Sequence, residues 1–338
     1  MDIIFPLGKL RLEILARLLA RYRGADDKHV ILGGAIGEDA AILDIGDRYL
    51  VAKTDPITFA TDQIGWYAVN VNANDVAVMG ATPRWMMATI LLPEGKASLG
   101  LVEGIFAQMD AACKDLGIAL VGGHTEVTPA LPRPIVVGTL LGEVEKDRLI
   151  HTGNAQPGDE ILLVKSIAIE GTAIIARERG DELRARGYSE DVIGRARNFL
   201  FDPGISVVAA AQIAAETKKV HAMHDPTEGG LAMGLHELAY ASGTGLWVDR
   251  ARIRILPECI EFCREFGLDP LGLIASGALL VAVPPDTSAR LQHLYAQAGI
   301  PCSVIGHVTP PEEGIRIKNG GVTRDLPRFD ADEITRLF

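Results

Sequence analysis

Four short clusters of acidic and amide residues could carry chemistry in this sequence. "GEDAAIL" sets Glu38 and Asp39 after Gly37, just before a strand-like run. "VAKTDP" brings Lys53, Thr54 and Asp55 to a predicted strand end. "NVNAND" spaces Asn70, Asn72, Asn74 and Asp75 through an apolar stretch. "VGGHTEV" puts Gly122, Gly123, His124, Thr125 and Glu126 at another predicted strand end. Singly, each reads as a solvated turn. Together they are less ordinary, because side chains at neighbouring strand ends can converge on one cleft. Carboxylates, amides and hydroxyls are the oxygen donors that a hard cation such as Mg²⁺ takes. Carboxylates brought together repel one another unless a cation sits between them. A metal held that way is a natural acceptor for a triphosphate.

The third cluster lies in a predicted helix over about residues 62–79, which Gly80 and Pro83 end. Asn and Asp are poor helix-interior residues because their side chains compete for nearby backbone groups. Apolar residues occur nearly all round this helix, so it is expected to be buried. Its polar groups then either bond neighbouring backbone, or Asp75 with Asn74 or Asn72 faces a metal-phosphate site. A fifth segment, "HAMHDPTEGGLAMGLHELA", reads as a capping box: Asp225 as N-cap, Pro226 as first helical residue, Glu228 three positions in. The same helix start can bind an anion, with Gly229-Gly230 permitting close approach. His221 and His224 lack a clear third ligand, so zinc is not favoured.

These clusters need a scaffold. Residues 9–23 have the spacing of an amphipathic helix. Two strands joined at Gly46-Asp47 follow, then the Asn-rich helix, a strand at "RWMMATILLP", a helix over 98–116, and strands at "IALVGG" and "RPIVVGTLLGEV". The composition turns polar over 144–158, which places a domain boundary there: 1–150 and 151–338. Beyond it, strand character returns at "EILLVKSI", "GALLVAVP" and "CSVIGHVT". Helices are expected over 168–180, 187–200, 203–217 (behind Asp202-Pro203) and 287–299. Adjacent strands with helices between them suggest an α+β layer.

With 338 residues, 48% hydrophobic and 23% charged, the chain fits a soluble two-domain protein. Its net charge of −11 and lack of a basic block argue against nucleic-acid or anionic-membrane binding. No apolar segment approaches the ~18 residues that span a bilayer. The start lacks signal-peptide features, and the four cysteines form no CxxC pair, so a cytoplasmic protein is expected. P-loop, dinucleotide, HExxH and GxSxG motifs are absent.

In this order the clusters resemble the superfamily of aminoimidazole ribonucleotide (AIR) synthase, thiamine-monophosphate kinase, selenophosphate synthetase and the hydrogenase-maturation protein HypE. "GEDAAIL" is similar to its GDDAA segment, with Glu38 for the first Asp. "KTDP" is similar to its TD segment, "NANDVAVMGATP" to ND-x-x-x-MGA-x-P, and "GGHTE" to its GGHTE turn. "HDPTEGGL" resembles HypE's D-x-T-R-G-G-L, with Glu228 for Arg. The resemblance implies a two-domain AIR synthase-like fold: an N-terminal α/β domain that dimerises through its sheet and a C-terminal α+β domain, with ATP in the cleft between them. It implies Mg²⁺ on Asp39, Asp55 and Asp75. Lys53, Thr54, Asn74, Gly122, Gly123, Asp225, Thr227, Gly229 and Gly230 would bind nucleotide, and Asp75, His124 and Glu126 would act in catalysis. The expected activity is ATP- and Mg²⁺-dependent phosphorylation of an oxygen on a small-molecule amide, carboxylate or phosphate. The alternatives are a HypE-like nucleotide-binding maturation or scaffold protein with a protein partner, and a thiamine-monophosphate-kinase-like enzyme. The Pro-Arg-Ile-Cys tail of HypE has no counterpart in "DEITRLF", the last cysteine being Cys302.

Overall fold

A computed structural model describes residues 5, 8, 10–58, 60 and 62–338. In chain order the elements are α1 (Leu12–Arg21), β1 (Val30–Leu32), β2 (Ala41–Asp44), β3 (Arg48–Ile57), α2 (Ile64–Val78), β4 (Thr82–Pro93), α3 (Leu99–Leu116), β5 (Ala119–Thr128) and β6 (Ile135–Glu145). There follow β7 (Glu160–Val164), α4 (Ile169–Glu178), α5 (Gly180–Ala185), α6 (Glu190–Asn198), α7 (Val208–Glu216), β8 (Ala222–His224), α8 (Gly230–Ser242) and β9 (Gly245–Asp249). The chain closes with α9 (Pro257–Phe266), β10 (Leu279–Val283), α10 (Pro285–Gln297), β11 (Cys302–Thr309), β12 (Ile315–Asn319) and β13 (Val322–Asp325). Lys9, which opens the predicted first helix, lies outside the described residues.

Two compact units divide these elements. One comprises Lys28–Gly33 and Asp39–Leu149; the other comprises Met1–Asp27, Gly34–Glu38 and Ile150–Phe338. The opening segments, expected with the first domain, therefore group with the second. Gly37 and Glu38 give a reason. Gly37 has φ +80° and its α-carbon packs so tightly on α8 that a Cβ would lie 2.6 Å from the Glu237 carbonyl. The Glu38 carboxylate accepts from the backbone N–H groups of Thr152 (3.2 Å) and Gly153 (3.0 Å), and its Oε1 lies 3.0 Å from His151 Nδ1. An Asp side chain is one methylene shorter, so the Glu in "GEDAA" serves a local latch.

The unit of β1–β6 is one mixed sheet ordered β1-β2-β3-β6-β4-β5. All pairs are antiparallel except β4 with β5. Its covered face carries alternate β6 residues Val136, Gly138, Leu140, Gly142 and Val144. The two glycines on that face let α2 lie directly on the strand. A Cβ on Gly138 would meet Asn72 Nδ2 at 2.4 Å, and one on Gly142 would meet Val76 Cγ1 at 2.3 Å. α2 is buried at every residue but Trp66, as its all-round apolar pattern requires. Helix α3 adds a second cover. Its Gln108 side chain accepts from Gly65 N–H at 3.0 Å, satisfying a donor at the start of α2.

The unit of β7–β13 is built on a seven-stranded sheet ordered β13-β12-β9-β11-β7-β10-β8. β10 (LLVAV) is buried along its whole length between β7 and β8. Its apolar run without alternation is the sign of a strand covered on both faces. Tyr295 of α10 donates to the Ala210 carbonyl of α7 at 2.9 Å and ties those helices together.

Two boundaries differ from expectation. Asp202 does not cap a helix. It is extended (φ −142°, ψ 110°), as the residue before a proline is pushed to be, and α7 begins only at Val208. The run Glu190–Glu216 is also long and apolar enough in composition to pass for a membrane span, contrary to the sequence reading. It is folded as α6, a short π-type turn at Leu200–Gly204 and α7, three pieces with Asp202 non-helical between them.

The close fit of α2 on β6 gives a direct test. Gly138→Ala is expected to destabilise the protein by about 2 kcal/mol through overpacking against Asn72. Gly104→Ala in α3, where a Cβ meets nothing within 4 Å, is expected to stabilise by roughly 0.5–1 kcal/mol through helix propensity. Urea denaturation of the two variants measures both.

Candidate functional site

Within the β1–β6 unit the site is set by one amide. Asn72 accepts from the Asp55 N–H at 2.9 Å and donates to the Asp55 carbonyl at 3.3 Å and the Ala68 carbonyl at 2.8 Å. A helix side chain thus holds both backbone groups of one strand residue, fixing α2 against β3. Asn70 only back-bonds the Trp66 carbonyl at 2.9 Å. Their presence mid-helix is explained: Asn70 is satisfied within α2, and Asn72 spans from α2 to β3.

With α2 fixed, Asp75 faces β3. Lys53 and Asp55 lie two apart on β3, on the same covered face. The Lys53 ammonium stands 3.4 Å from Asp55 Oδ2 and 3.4 Å from Asp75 Oδ2. Asp39 is also buried, and carboxylate oxygens of Asp39 and Asp75 come within 4.8 Å of each other. Asp75 is 3% exposed and Asp39 8%. Two carboxylates this close and this dry repel strongly unless a cation is shared. Lys53 supplies one charge; a hard divalent cation would fit the remaining oxygen-donor set. Asn74 is fully buried beside them on α2.

The strand register separates the other predicted residues from this group. Thr54 points to the opposite, open face, where its hydroxyl donates to the Gly138 carbonyl at 2.8 Å and accepts from Thr139 at 3.2 Å. Gly122 to Glu126 are not a turn at a strand end but the middle of β5, an exposed edge strand. β5 stands three strand spacings from β3, about 14 Å. Along β3–β6–β4–β5 the aligned register puts His124 and Glu126 on the Thr54 face, away from Lys53. His124 Nε2 and Glu126 Oε2 pair at 3.2 Å, both exposed. Gly123 serves close strand approach: a Cβ there would lie 1.9 Å from the Ala88 carbonyl oxygen.

In the β7–β13 unit the capping-box expectation is corrected. α8 starts at Gly230, with Gly229 as a left-handed cap (φ +79°), and Asp225 is buried in the preceding loop. The helix start is already supplied with an anion. The Asp332 carboxylate accepts from Gly229 N–H at 2.6 Å, Ile334 N–H at 2.8 Å and Ile274 N–H at 3.2 Å. Gly230 N–H donates to the Thr227 carbonyl at 3.0 Å. A Cβ on Gly230 would lie 2.5 Å from the Leu271 carbonyl, so its close approach is to backbone. Burial outweighs those three donors and pushes the Asp332 carboxyl up to about 6. His224 Nε2 pairs with Glu237 Oε2 at 3.0 Å, both largely buried, which accounts for His224 without zinc.

Glu170 escaped the sequence reading. It is the lone charge in the apolar run "IAIEGTAII", the one signal that could have marked it. Its carboxyl is buried on α4, hydrogen-bonded with Ser276, and Oε2 has no hydrogen-bond partner among the described residues. Ser276 follows Ala275, whose N–H donates to the Thr227 carbonyl at 3.1 Å, so Glu170 borders the 225–230 loop. Burial, aided by the charges of Glu228 and Asp332, raises its carboxyl to about 7.

With this geometry in place, comparison with known proteins is decisive. The profile described as "AIR synthase related protein, N-terminal domain" matches residues 37–144, and that of its C-terminal domain matches 156–318. The chain belongs to the AIR synthase related family. The carbamoyl dehydratase HypE of Cupriavidus necator is 33% identical over 291 residues, covering 83% of this chain and 78% of that protein. A putative hydrogenase expression/formation protein of Methanocaldococcus jannaschii is 29% identical over 313 residues, covering 88% and 89%. The crystal structure of a hydrogenase maturation protein HypE in complex with ATP superposes with a TM-score of 0.73 at 27% identity, covering 94% of this chain and 95% of that one. The fold is thus the two-domain AIR synthase fold.

Glu170 yields a pH prediction. Its folded carboxyl holds a proton that the unfolded chain releases near pH 4.5. The folded state therefore binds more protons between about pH 4.5 and 7, and stability falls as pH rises through that window. Glu170→Gln is expected to flatten this fall, removing on the order of 3 kcal/mol of pH dependence. Thermal unfolding at a series of pH values measures it.

Proposed function

We propose that this protein is an ATP- and Mg²⁺-dependent member of its family that acts as HypE-like proteins do, on an acceptor group delivered by a protein partner. The observation that carries this reading is the close approach of the buried Asp39 and Asp75 carboxylates, with Lys53 between Asp75 and Asp55. Asp39, Asp55 and Asp75 would hold Mg²⁺, which supplies charge neutralisation for a bound triphosphate. Asn72 keeps Asp55 in place, Asn74 would support Asp75, and Lys53 would offer its ammonium to a phosphate oxygen. Within the β7–β13 unit, Asp225 and Thr227 are assigned to nucleotide binding, and Gly229 and Gly230 would shape their loop. Positioning and electrostatics would do most of the work.

The acceptor we favour is an amide-type oxygen: the γ-phosphoryl group of ATP transfers to it as ADP leaves, and the oxygen then departs as inorganic phosphate with loss of the amide protons, a net dehydration in keeping with the carbamoyl dehydratases among the relatives. Cys113, Cys259 and Cys263 are buried and Cys302 half-buried. None of these four thiols is presented as a surface carrier, which supports delivery by a partner. A second copy of the chain is the natural cover for the open face of the β1–β6 sheet. Trp85 and Met87 are exposed there, and the edge strand β5 shows Leu120, Val121 and Val127. Exposed apolar edges invite pairing. His124 and Glu126 would then act at or near that interface. The reading places the protein in the cytoplasm.

Asp75→Asn keeps the shape and removes the charge. It is expected to lower ADP release from Mg-ATP at least a hundredfold, read by ³¹P NMR, with an unchanged melting temperature to within a few degrees. Turnover equal to wild type would overturn the site assignment. Capture of a partner that ignores nucleotide would overturn the ATP-gated maturation role.

A further inference from the structure

Helix α9 carries Cys259 and Cys263 one turn apart on its buried face. Their sulfurs lie 3.9 Å apart. The hydrogen bond between the two sulfurs, with the Arg250 guanidinium nearby, favours thiolate at Cys259, while Cys263 is driven the other way. Cys263 also helps line a cavity of about 470 Å³, with Arg250 and Arg264 beside it and an apolar wall that includes Ile253, Ile260 and Leu268. Ile260 is 51% exposed, so one rim of that wall faces solvent.

The spacing decides which chemistry fits. Residues four apart on a helix have Cβ atoms about 5–6 Å apart, whereas a disulfide needs roughly 3.5–4.5 Å. Closing an S–S bond would require the turn to unwind. A single atom bonded to both sulfurs does not: two bonds of about 2.3 Å, typical of metal-thiolate bonding, span the observed separation at an ordinary bond angle. Paired thiolates select soft ions over hard ones. We propose that Cys259 and Cys263 form a two-thiol site for a soft, thiophilic ion, entered through this cavity. The site uses none of the residues assigned to nucleotide or Mg²⁺ and does not depend on that reading.

Phenylarsine oxide is a suitable probe. Two S–As bonds form, the As=O bond breaks, and the oxygen leaves as water with the two thiol protons; arsenic stays trivalent. Native mass spectrometry of the reduced full chain should show one adduct per chain. Cys259→Ser and Cys263→Ser should each abolish it, and the double variant Cys113→Ser/Cys302→Ser should keep it. That double variant retains only the proposed pair, so it decides the matter even where a helix variant fails to fold. No adduct on the folded chain, an adduct surviving Cys259→Ser, or one lost with Cys113 and Cys302 would each overturn the site.

Discussion

The close approach of two buried carboxylates is the constraint on which the rest of this site depends. Asp39 and Asp75 sit within 4.8 Å of each other on apolar ground. Taken out of water, each carboxylate loses hydration that costs several kcal/mol even after relaxation. The protein offsets this in part with Lys53, held between Asp75 and Asp55. Carboxylate oxygens of this kind are the donors a hard divalent cation takes, which is why we propose one here.

Packing makes that arrangement rigid. Gly138 and Gly142 remove side chains from β6 where α2 crosses it. The resulting contact brings Asn72 into reach of both backbone groups of Asp55. Asp75, three residues further along α2, is then fixed relative to Lys53. The metal-phosphate chemistry we propose would rely on positioning more than on bond-making by the protein, and two glycines and an asparagine with no chemical role would then be part of the site. In the other unit the same logic runs through Asp332, which joins Gly229, Ile274 and Ile334 through backbone N–H groups.

Much of the fold was legible because its strands and helices are long or strongly apolar. β4, β6, β10 and β11 and helices α2 and α3 stand close to where periodicity puts them. Short or polar elements such as β8, β12 and β13 carry little periodic signal and were not anticipated. That Asp39, Asp55 and Asp75 would converge was expected from residue type and from the family motifs, and the structure does bring them near one another. Their separation from Gly122–Glu126 was not, because it depends on the order β3-β6-β4-β5 and on register. A glycine-rich "VGGHTEV" looks like a turn; here its glycines allow two strands to approach closely. Asp225 looked like an N-cap for a similar reason. The true cap is Gly229, whose N–H is claimed by a carboxylate 103 residues away in sequence, beyond any local pattern.

The β1–β6 unit thus brings Asp39, Asp55 and Asp75 together with Lys53, and the chain belongs to a family with a solved ATP complex. Calorimetric titration of the purified protein with ATP, in excess Mg²⁺ and again in excess EDTA, tests that account most directly. It predicts binding that tightens at least tenfold when Mg²⁺ is present. Equal affinity in the two titrations, or no binding in either, would contradict it.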